Sequence, residues 1–335
     1  MSQPLVSILI PYKNTSAYLK ECLDSIMDQT YTNWEVIAID DNSTDNSLEI
    51  VTLYTKKDTR IKTYPNHGNG IIQALRTAYV KSKGSLITRM DSDDIMTPIR
   101  IIQMTKDLIQ CGMGFLSVGQ VTYFAEHGIS NGYERYANWL NGLTAKGSNF
   151  SELYKECVVP SPCWMVHKTD FDACGAFDSE RYPEDYDLTF RFYASGLKII
   201  PCNKVLLLWR DYDSRTSRTS AHYAQNYFLD IKLHYFLKLN RETERPLSLW
   251  GAGKKGKQIA QILQKENIDF TWVCDNHNKI GKEIYSTIMQ PYQELENLIN
   301  FQSIITVANE YEQQKIRNYL CTLGKVAAID YFFFC

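Results

Sequence analysis

Asp91, Ser92, Asp93 and Asp94 stand together where an expected strand, residues 86–90, gives out. An Asp-x-Asp step of this kind offers the hard carboxylate oxygens that a divalent cation bridging two phosphates takes, so Asp91 and Asp93 are the candidate metal ligands. By itself the cluster reads equally well as a solvated turn, or as charge complementing the dipole of a helix that begins near Thr97. Glu184 and Asp185 follow Pro183 at the head of a helical stretch, where a carboxylate is held ionised and ready to accept a proton; a helix cap describes the same pair. Arg76 and Arg89 offer planar forks matched to a diphosphate, or ordinary ion pairs. Far along the chain, Gly251, Gly253 and Gly256 spell G-x-G-x-x-G, with Asp275 about twenty residues on, which is the spacing of a dinucleotide fingerprint.

The elements that must position these groups are legible from their periodicity. Residues 5–10 and 35–39 are continuous apolar, β-branched runs, expected as parallel strands buried on both faces. Between them Leu19, Cys22, Leu23, Ile26 and Met27 share one helical face, with Ser16 placed to cap it. Strand, helix, strand makes a βαβ unit with a right-handed crossover. The pattern repeats through a helix at 48–54, a strand at 61–64, a helix presenting Ile72, Leu75, Ala78 and Tyr79, and a strand at 86–90. Ligands of such sheets bind beyond the carboxyl ends of the strands, so Pro11-Tyr12, Asp40-Asp41 and the acidic cluster are expected to converge on one crevice. Thr97-Pro98 predicts a helix start and Cys111-Gly112 its stop. Residues 130–180, rich in Asn, Gly, Ser and aromatics, read as irregular before the helical stretch PEDYDLTFRFYASG.

A polar stretch at 240–246 divides the chain into a domain over residues 1–240 and a small α/β domain over 246–335. The 335 residues are 44% hydrophobic and 13% aromatic, ample for two cores. With 36 basic against 38 acidic side chains, no global field draws the chain to nucleic acid. Nine cysteines, an odd number without a CxxC pair, predict reduced thiols rather than a disulfide framework. The start carries no basic, cleavable leader pattern, and no apolar run approaches the roughly 20 residues that span a bilayer, so the expectation is a cytoplasmic chain, with peripheral membrane contact at the cytoplasmic face left open.

Four stretches in order, VSILIPYKN, SIMDQTYTNWEVIAIDDNSTDNS, KGSLITRMDSDD and FDACGAFDSERYPEDYDLTFRF, make residues 1–225 resemble the family 2 glycosyltransferases of the GT-A fold. The resemblance implies a mixed, mainly parallel α/β sheet, a nucleotide-sugar donor, most often a UDP-sugar, and Mn2+ or Mg2+. It implies that Pro11, Tyr12 and Asn14 line the nucleotide pocket and that Asp41 reads the base. One departure is Lys13, which stands where the family commonly has an aromatic. Asp185 would be the general base of a single inverting displacement, with Glu184 beside it. Arg215 and Arg218 would bind phosphate from a closing loop, His222 would complete the metal shell of Asp91 and Asp93, and Trp164 of PSPCWM would stack on an acceptor sugar or serve as core. The acceptor implied is a glycan or lipid-linked molecule of cell-surface polysaccharide synthesis.

The C-terminal segment supports a rival reading, an NAD(P)-dependent oxidoreductase, through Gly251, Gly253, Gly256 and Asp275. Its 90 or so residues allow only half of a doubly wound fold. A small Rossmann-like domain with a regulatory or assembly role, with or without NAD or another nucleotide, therefore fits better. The apolar end, residues 331–335, is expected to bury against another surface, which leaves room for a homodimer.

Overall fold

The computed structural model describes residues 3–219 and 228–335. The chain divides into two compact units, residues 1–149 with 158–215, and residues 150–157 with 216–335. The division falls between Arg215 and Thr216, some 25 residues before the polar stretch, so the helix at 229–239 groups with the second unit.

The first unit opens as its apolar periodicity requires: β1 (Val6–Tyr12), α1 (Leu19–Met27), β2 (Trp34–Asp40), α2 (Ser47–Lys57), β3 (Ile61–Pro65), α3 (Ile71–Lys81) and β4 (Leu86–Arg89). The short β5 (Ile95–Met96) then leads to α4 (Arg100–Cys111), β6 (Phe115–Val118), β7 (Gln120–Phe124) and α5 (Asn131–Lys146). The unit closes with β8 (Trp164–His167), α6 (Lys168–Ala173), α7 (Glu184–Ala194), β9 (Lys198–Ile200) and β10 (Val205–Arg210).

Seven strands form one sheet in the order β3-β2-β1-β4-β8-β6-β9, parallel except for β8, which runs against both neighbours. The mixed, mainly parallel α/β sheet is therefore present. β1 and β2 are buried on both faces, which is why they read as mainly apolar runs; the buried Ser7 of β1 donates to Glu35 Oε1 of β2 at 2.8 Å. A second sheet, β5-β10-β7, brings the end of β10 back to the segment after β4.

Three local expectations fail. Ser16 does not cap α1: the helix starts after Tyr18, while the Ser16 N–H is taken by Asp45 Oδ2 at 3.0 Å. Thr97 does not cap α4 either: the N-cap position is Ile99, and the Thr97 hydroxyl donates to the Val205 carbonyl at 3.3 Å. Residues 130–180 are not irregular, for they hold the 16-residue helix α5 as well as β8 and α6.

The second unit contains the single turn α8 (Thr216–Thr219), then α9 (Leu229–Leu239), β11 (Leu247–Trp250), α10 (Lys254–Lys265) and β12 (Thr271–Cys274). A two-stranded ribbon, β13 (Glu283–Ile284) with β14 (Thr287–Ile288), precedes β15 (Gln290–Pro291), β16 (Gln302–Ile305), α11 (Glu310–Thr322) and β17 (Tyr331–Phe333). Its sheet runs β15-β12-β11-β16-β17 and is parallel throughout. The apolar chain end is not reserved for another surface: Tyr331 and Phe333 belong to β17 and pack in this unit's own core with Trp250, Ile305 and Leu320.

Candidate active site

The residue following each of β1, β2 and β4 opens onto a polar segment, and hydrogen bonds bind these segments together. Asn14 adopts a left-handed conformation (φ 52°), which asparagine tolerates, and its Oδ1 accepts the Thr44 N–H at 2.7 Å. Thr15 Oγ1 donates to Ser92 Oγ at 3.0 Å. The expected convergence of the strand ends is thus realised.

In the acidic loop every carboxylate has a distinct task. Asp91 accepts Arg89 Nε at 2.8 Å on one oxygen and Ser161 Oγ at 3.2 Å on the other. Asp93 Oδ2 accepts the Tyr212 hydroxyl at 2.9 Å, while Arg210 Nε donates to the Asp93 carbonyl at 2.7 Å. Asp94 is fully buried: Oδ1 accepts the Arg210 N–H at 2.8 Å, and Oδ2 has no hydrogen-bond partner. Burial, and then Asp93, push the Asp94 carboxyl well above the usual carboxylate range; burial, and then Asp91, raise Asp93 as well.

Arg215 answers part of this charge. Its guanidinium lies over the Trp209 ring at 5.1 Å and the Tyr123 ring at 5.9 Å. Burial disfavours its charged form, but Asp94, Tyr123 and Asp93 outweigh that and hold it charged. Packed carboxylates with an orphaned buried oxygen remain electrostatically incomplete, and hard oxygens of this kind suit Mg2+ or Mn2+. Among the described residues no three His, Cys, Asp or Glu side chains form a closed cage, so a cation here depends on ligand or water oxygens to complete its shell.

The second carboxylate group heads α7. Pro183 is the N-cap residue, and Glu184, Asp185 and Asp187 crowd the first turn, where the helix dipole favours them. Glu184 Oε1 accepts Arg89 Nη1 at 2.9 Å. Asp185 Oδ1 accepts the Tyr186 N–H at 2.8 Å. Burial, then Glu184, push the Asp185 carboxyl up to about 7, with Arg89 pulling the other way. A carboxylate that titrates near neutrality suits a general base.

At the ends of β1 and β2, Asp41 is 5% exposed; its Oδ1 accepts Asn66 Nδ2 at 2.7 Å and the Gly70 N–H at 2.9 Å, and Oδ2 faces Lys13 Nζ at 3.4 Å. Lys13, with its side chain half exposed, is therefore the ionic partner of Asp41. Pro11 is buried in β1.

Several sequence expectations are corrected by burial and pairing. Tyr12 is 2% exposed and its hydroxyl bonds Thr63 Oγ1 at 2.9 Å, so its ring is core and does not present a face to a base. Trp164 is 2% exposed and packs on Phe171 and Phe192, so it is not a sugar-stacking surface. Arg89 is committed to Asp91 and Glu184, and Arg76 to the carbonyls of Phe177 and Asp178 and to Glu180; both are ion-pair residues, not diphosphate forks. Arg218 lies exposed on α8 of the second unit. His222 lies outside the described residues.

The pattern reading missed Ser161, Tyr212, Arg210 and Asn66. Ser161, Tyr212 and Asn66 reach a carboxylate, and the Arg210 side chain the Asp93 carbonyl, from 25 to 119 positions away in sequence, a pairing that no local spacing encodes. Ser161, in PSPCWM, and Arg210 and Tyr212, in the polar, basic stretch 209–222, sat in segments already singled out; Asn66 did not.

In the second unit the three glycines have separate reasons. Gly251 adopts φ +126° against Thr306, and a side chain on Gly256 would lie 2.1 Å from the Gly251 carbonyl oxygen, so both positions are closed to larger residues. A side chain on Gly253 would meet nothing within 4 Å. Asp275 is exposed after β12, and Lys279 Nζ donates to the Ala252 carbonyl at 2.5 Å.

Comparison with known proteins bears on the fold and the family. Glycosyltransferase GlyG of Streptococcus pneumoniae is 42% identical over 93 residues, 28% of this chain and 31% of that protein. GlyA of the same organism is 27% identical over 219 residues, 64% of this chain and 31% of that protein. The chain thus matches about a third of the length of these relatives. Among solved structures, Staphylococcus aureus TarS in complex with UDP-GlcNAc has a TM-score of 0.54 at 17% identity, covering 71% of this chain and 68% of that one. The Pyrobaculum calidifontis mannosyltransferase PcManGT, in complex with GDP-Man and Mn2+, has a TM-score of 0.53 at 16% identity, covering 71% and 64%. Those likenesses show a shared GT-A fold. Residues 7–175, half of the chain, match glycosyl transferase family 2 itself, and the chain belongs to that family.

Proposed function

We propose that this chain is an inverting glycosyltransferase that moves a sugar from a nucleotide sugar, UDP-linked in the first instance, to a hydroxyl of a glycan or lipid-linked acceptor in surface-polysaccharide synthesis. The observation that carries the reading is the Arg89 bridge: one buried side chain reaches both the acidic loop and the helix that presents Asp185. Asp185, about half ionised at neutral pH, takes the proton of the acceptor hydroxyl as that oxygen attacks the anomeric carbon. The sugar inverts, and no covalent sugar–enzyme intermediate forms. Arg215 neutralises part of the negative charge of the departing nucleoside diphosphate. Asp91 and Asp93 would hold a divalent cation, Mn2+ or Mg2+, which when bound supplies further neutralisation of the diphosphate. The base-reading carboxylate would be Asp41, whose Oδ1 is held in place by Asn66 Nδ2 and the Gly70 N–H.

TarS bound to UDP-GlcNAc and PcManGT bound to GDP-Man with Mn2+ support a nucleotide-sugar donor and a metal. Among the described residues no helix is long and apolar enough to cross a membrane; a lipid-linked acceptor would then be met by peripheral contact at the cytoplasmic face. Calorimetric titration with UDP, GDP, CMP and NAD, each with Mn2+ and again with a chelator, tests the reading. Metal-dependent binding of UDP alone supports it; metal-independent binding of NAD alone sinks it.

For the C-terminal unit, a nucleotide-binding regulatory role is favoured over hydride transfer. The first strand, β11, is central, the strand order reverses between β11 and β16, and G-x-G-x-x-G sits at that reversal. Binding of NAD that is lost in Gly253→Asp while UDP binding survives tests it.

A further inference from the structure

Arg89 and Glu184 stand 95 positions apart in sequence, yet Arg89 Nη1 meets Glu184 Oε1 at 2.9 Å while Arg89 Nε meets Asp91 Oδ1 at 2.8 Å. The Arg89 side chain is 5% exposed and that of Glu184 9%. A buried guanidinium costs several kcal/mol to desolvate, so its retention between two carboxylates calls for excellent geometry. Only the planar fork of arginine donates to two carboxylates from one rigid group; a lysine ammonium sits at one point. Ser161 Oγ holds the far oxygen of Asp91 at 3.2 Å, which fixes the loop end of the bridge.

We propose that Arg89 is a positioning residue of the transfer reaction: by bridging Asp91 and Glu184 it fixes the acidic loop against the first turn of α7 and sets the charge around Asp185. The proposal rests on the reading of Asp185 as the base. The charged groups acting on Asp185 are Glu184 from its own helix, Arg89 from β4 and Asp91 from the loop after β4; Glu184 and Asp91 raise its proton affinity and Arg89 lowers it. Loss of Arg89 leaves both acids unopposed, whereas neutralising Glu184 removes the nearest repulsion. The two changes therefore act on Asp185 in opposite directions, which a packing role does not do.

The test is a carbon-13 NMR titration of aspartate carboxyls in the full chain, with the Asp185 signal identified by its disappearance in Asp185→Asn. Arg89→Met should move the Asp185 midpoint up by roughly one unit or more, Glu184→Gln should move it down, and the double variant should return towards the parent. A one-unit rise from about 7 cuts the ionised fraction at pH 7 about fivefold, so UDP release from UDP-glucose or UDP-GlcNAc with Mn2+ should fall by that factor and recover above pH 8. Arg89→Lys, which keeps the charge but not both bonds, should fall between parent and Arg89→Met; with Glu184→Gln it decides the matter should Arg89→Met fail to fold. Shifts of the same sign in Arg89→Met or Arg89→Lys and in Glu184→Gln, or no shift, overturn the proposal. Turnover that persists in Asp185→Asn removes the base reading and leaves the titration result standing, so the two failures are distinguishable.

Discussion

Replacing Asp185 by asparagine should make the protein more stable at alkaline pH while it loses turnover. The folded carboxyl titrates at about 7 against an ordinary value of 3.8, because burial and Glu184 oppose its charge. A folded-state value above the unfolded one means that the native state keeps a proton which the unfolded chain has already released. Stability from this group therefore falls as pH rises from about 4 through about 7, and the loss is complete above that window. Three units at 1.36 kcal/mol each give a ceiling of ~4 kcal/mol. The neighbouring acids respond to the substitution too, so about 2 kcal/mol is the working expectation at pH 8.

Asparagine is neutral throughout, nearly isosteric, and keeps the Oδ1 that accepts the Tyr186 N–H. Urea unfolding followed by tryptophan fluorescence at pH 4.5, 6 and 8 should therefore give two curves that nearly meet at the acid end and diverge by about 2 kcal/mol at pH 8, with the variant the more stable. Turnover should fall by roughly a hundredfold or more, the usual contribution of a positioned general base. A variant less stable than the parent at pH 8, or a gap that ignores pH, refutes the electrostatic account of Asp185.

Other expectations follow from single contacts. Tyr212→Phe removes the 2.9 Å bond to Asp93 Oδ2 and should raise the Mn2+ concentration needed for half-maximal turnover about tenfold without changing the melting temperature by more than a few degrees; Asp93→Ala should abolish metal-dependent UDP binding in calorimetry. Trp164→Ala should destabilise by about 3–5 kcal/mol in thermal melts, because the ring fills the core between Phe171 and Phe192; a normally stable variant with weakened acceptor binding alone would contradict its placement. Gly256→Ala should lower the unfolding free energy measured in urea by about 1–3 kcal/mol, since its new carbon falls 2.1 Å from a backbone oxygen, whereas Gly253→Ala, facing open space, should change it by well under half as much.

The division between what the residues announced and what they concealed has a physical basis. β1, β2 and β4 were plain because strands buried on both faces are predominantly apolar, their few polar residues (Ser7, Glu35, Thr88, Arg89) being buried among them, and the end of each strand marks where a ligand site opens. α5 was hidden although Tyr133, Tyr136, Ala137, Leu140 and Thr144 follow a helical repeat, since its asparagines and glycines carry the chemistry of loops and the packing of its apolar side chains on β7 overrides that local preference. Charge is harder still. Arg76, Arg89 and Lys13 each announce a cation, and nothing in their spacing says whether the partner is a phosphate or one of the protein's own acids. That choice is made by burial: Arg89 lies too deep to remain unpaired, so Asp91 and Glu184, the acids that β4 and α7 bring within 3 Å, claim it. The same depth that withdraws Arg89 from a diphosphate allows it to act on Asp185, and a surface arginine at that position would have had neither effect.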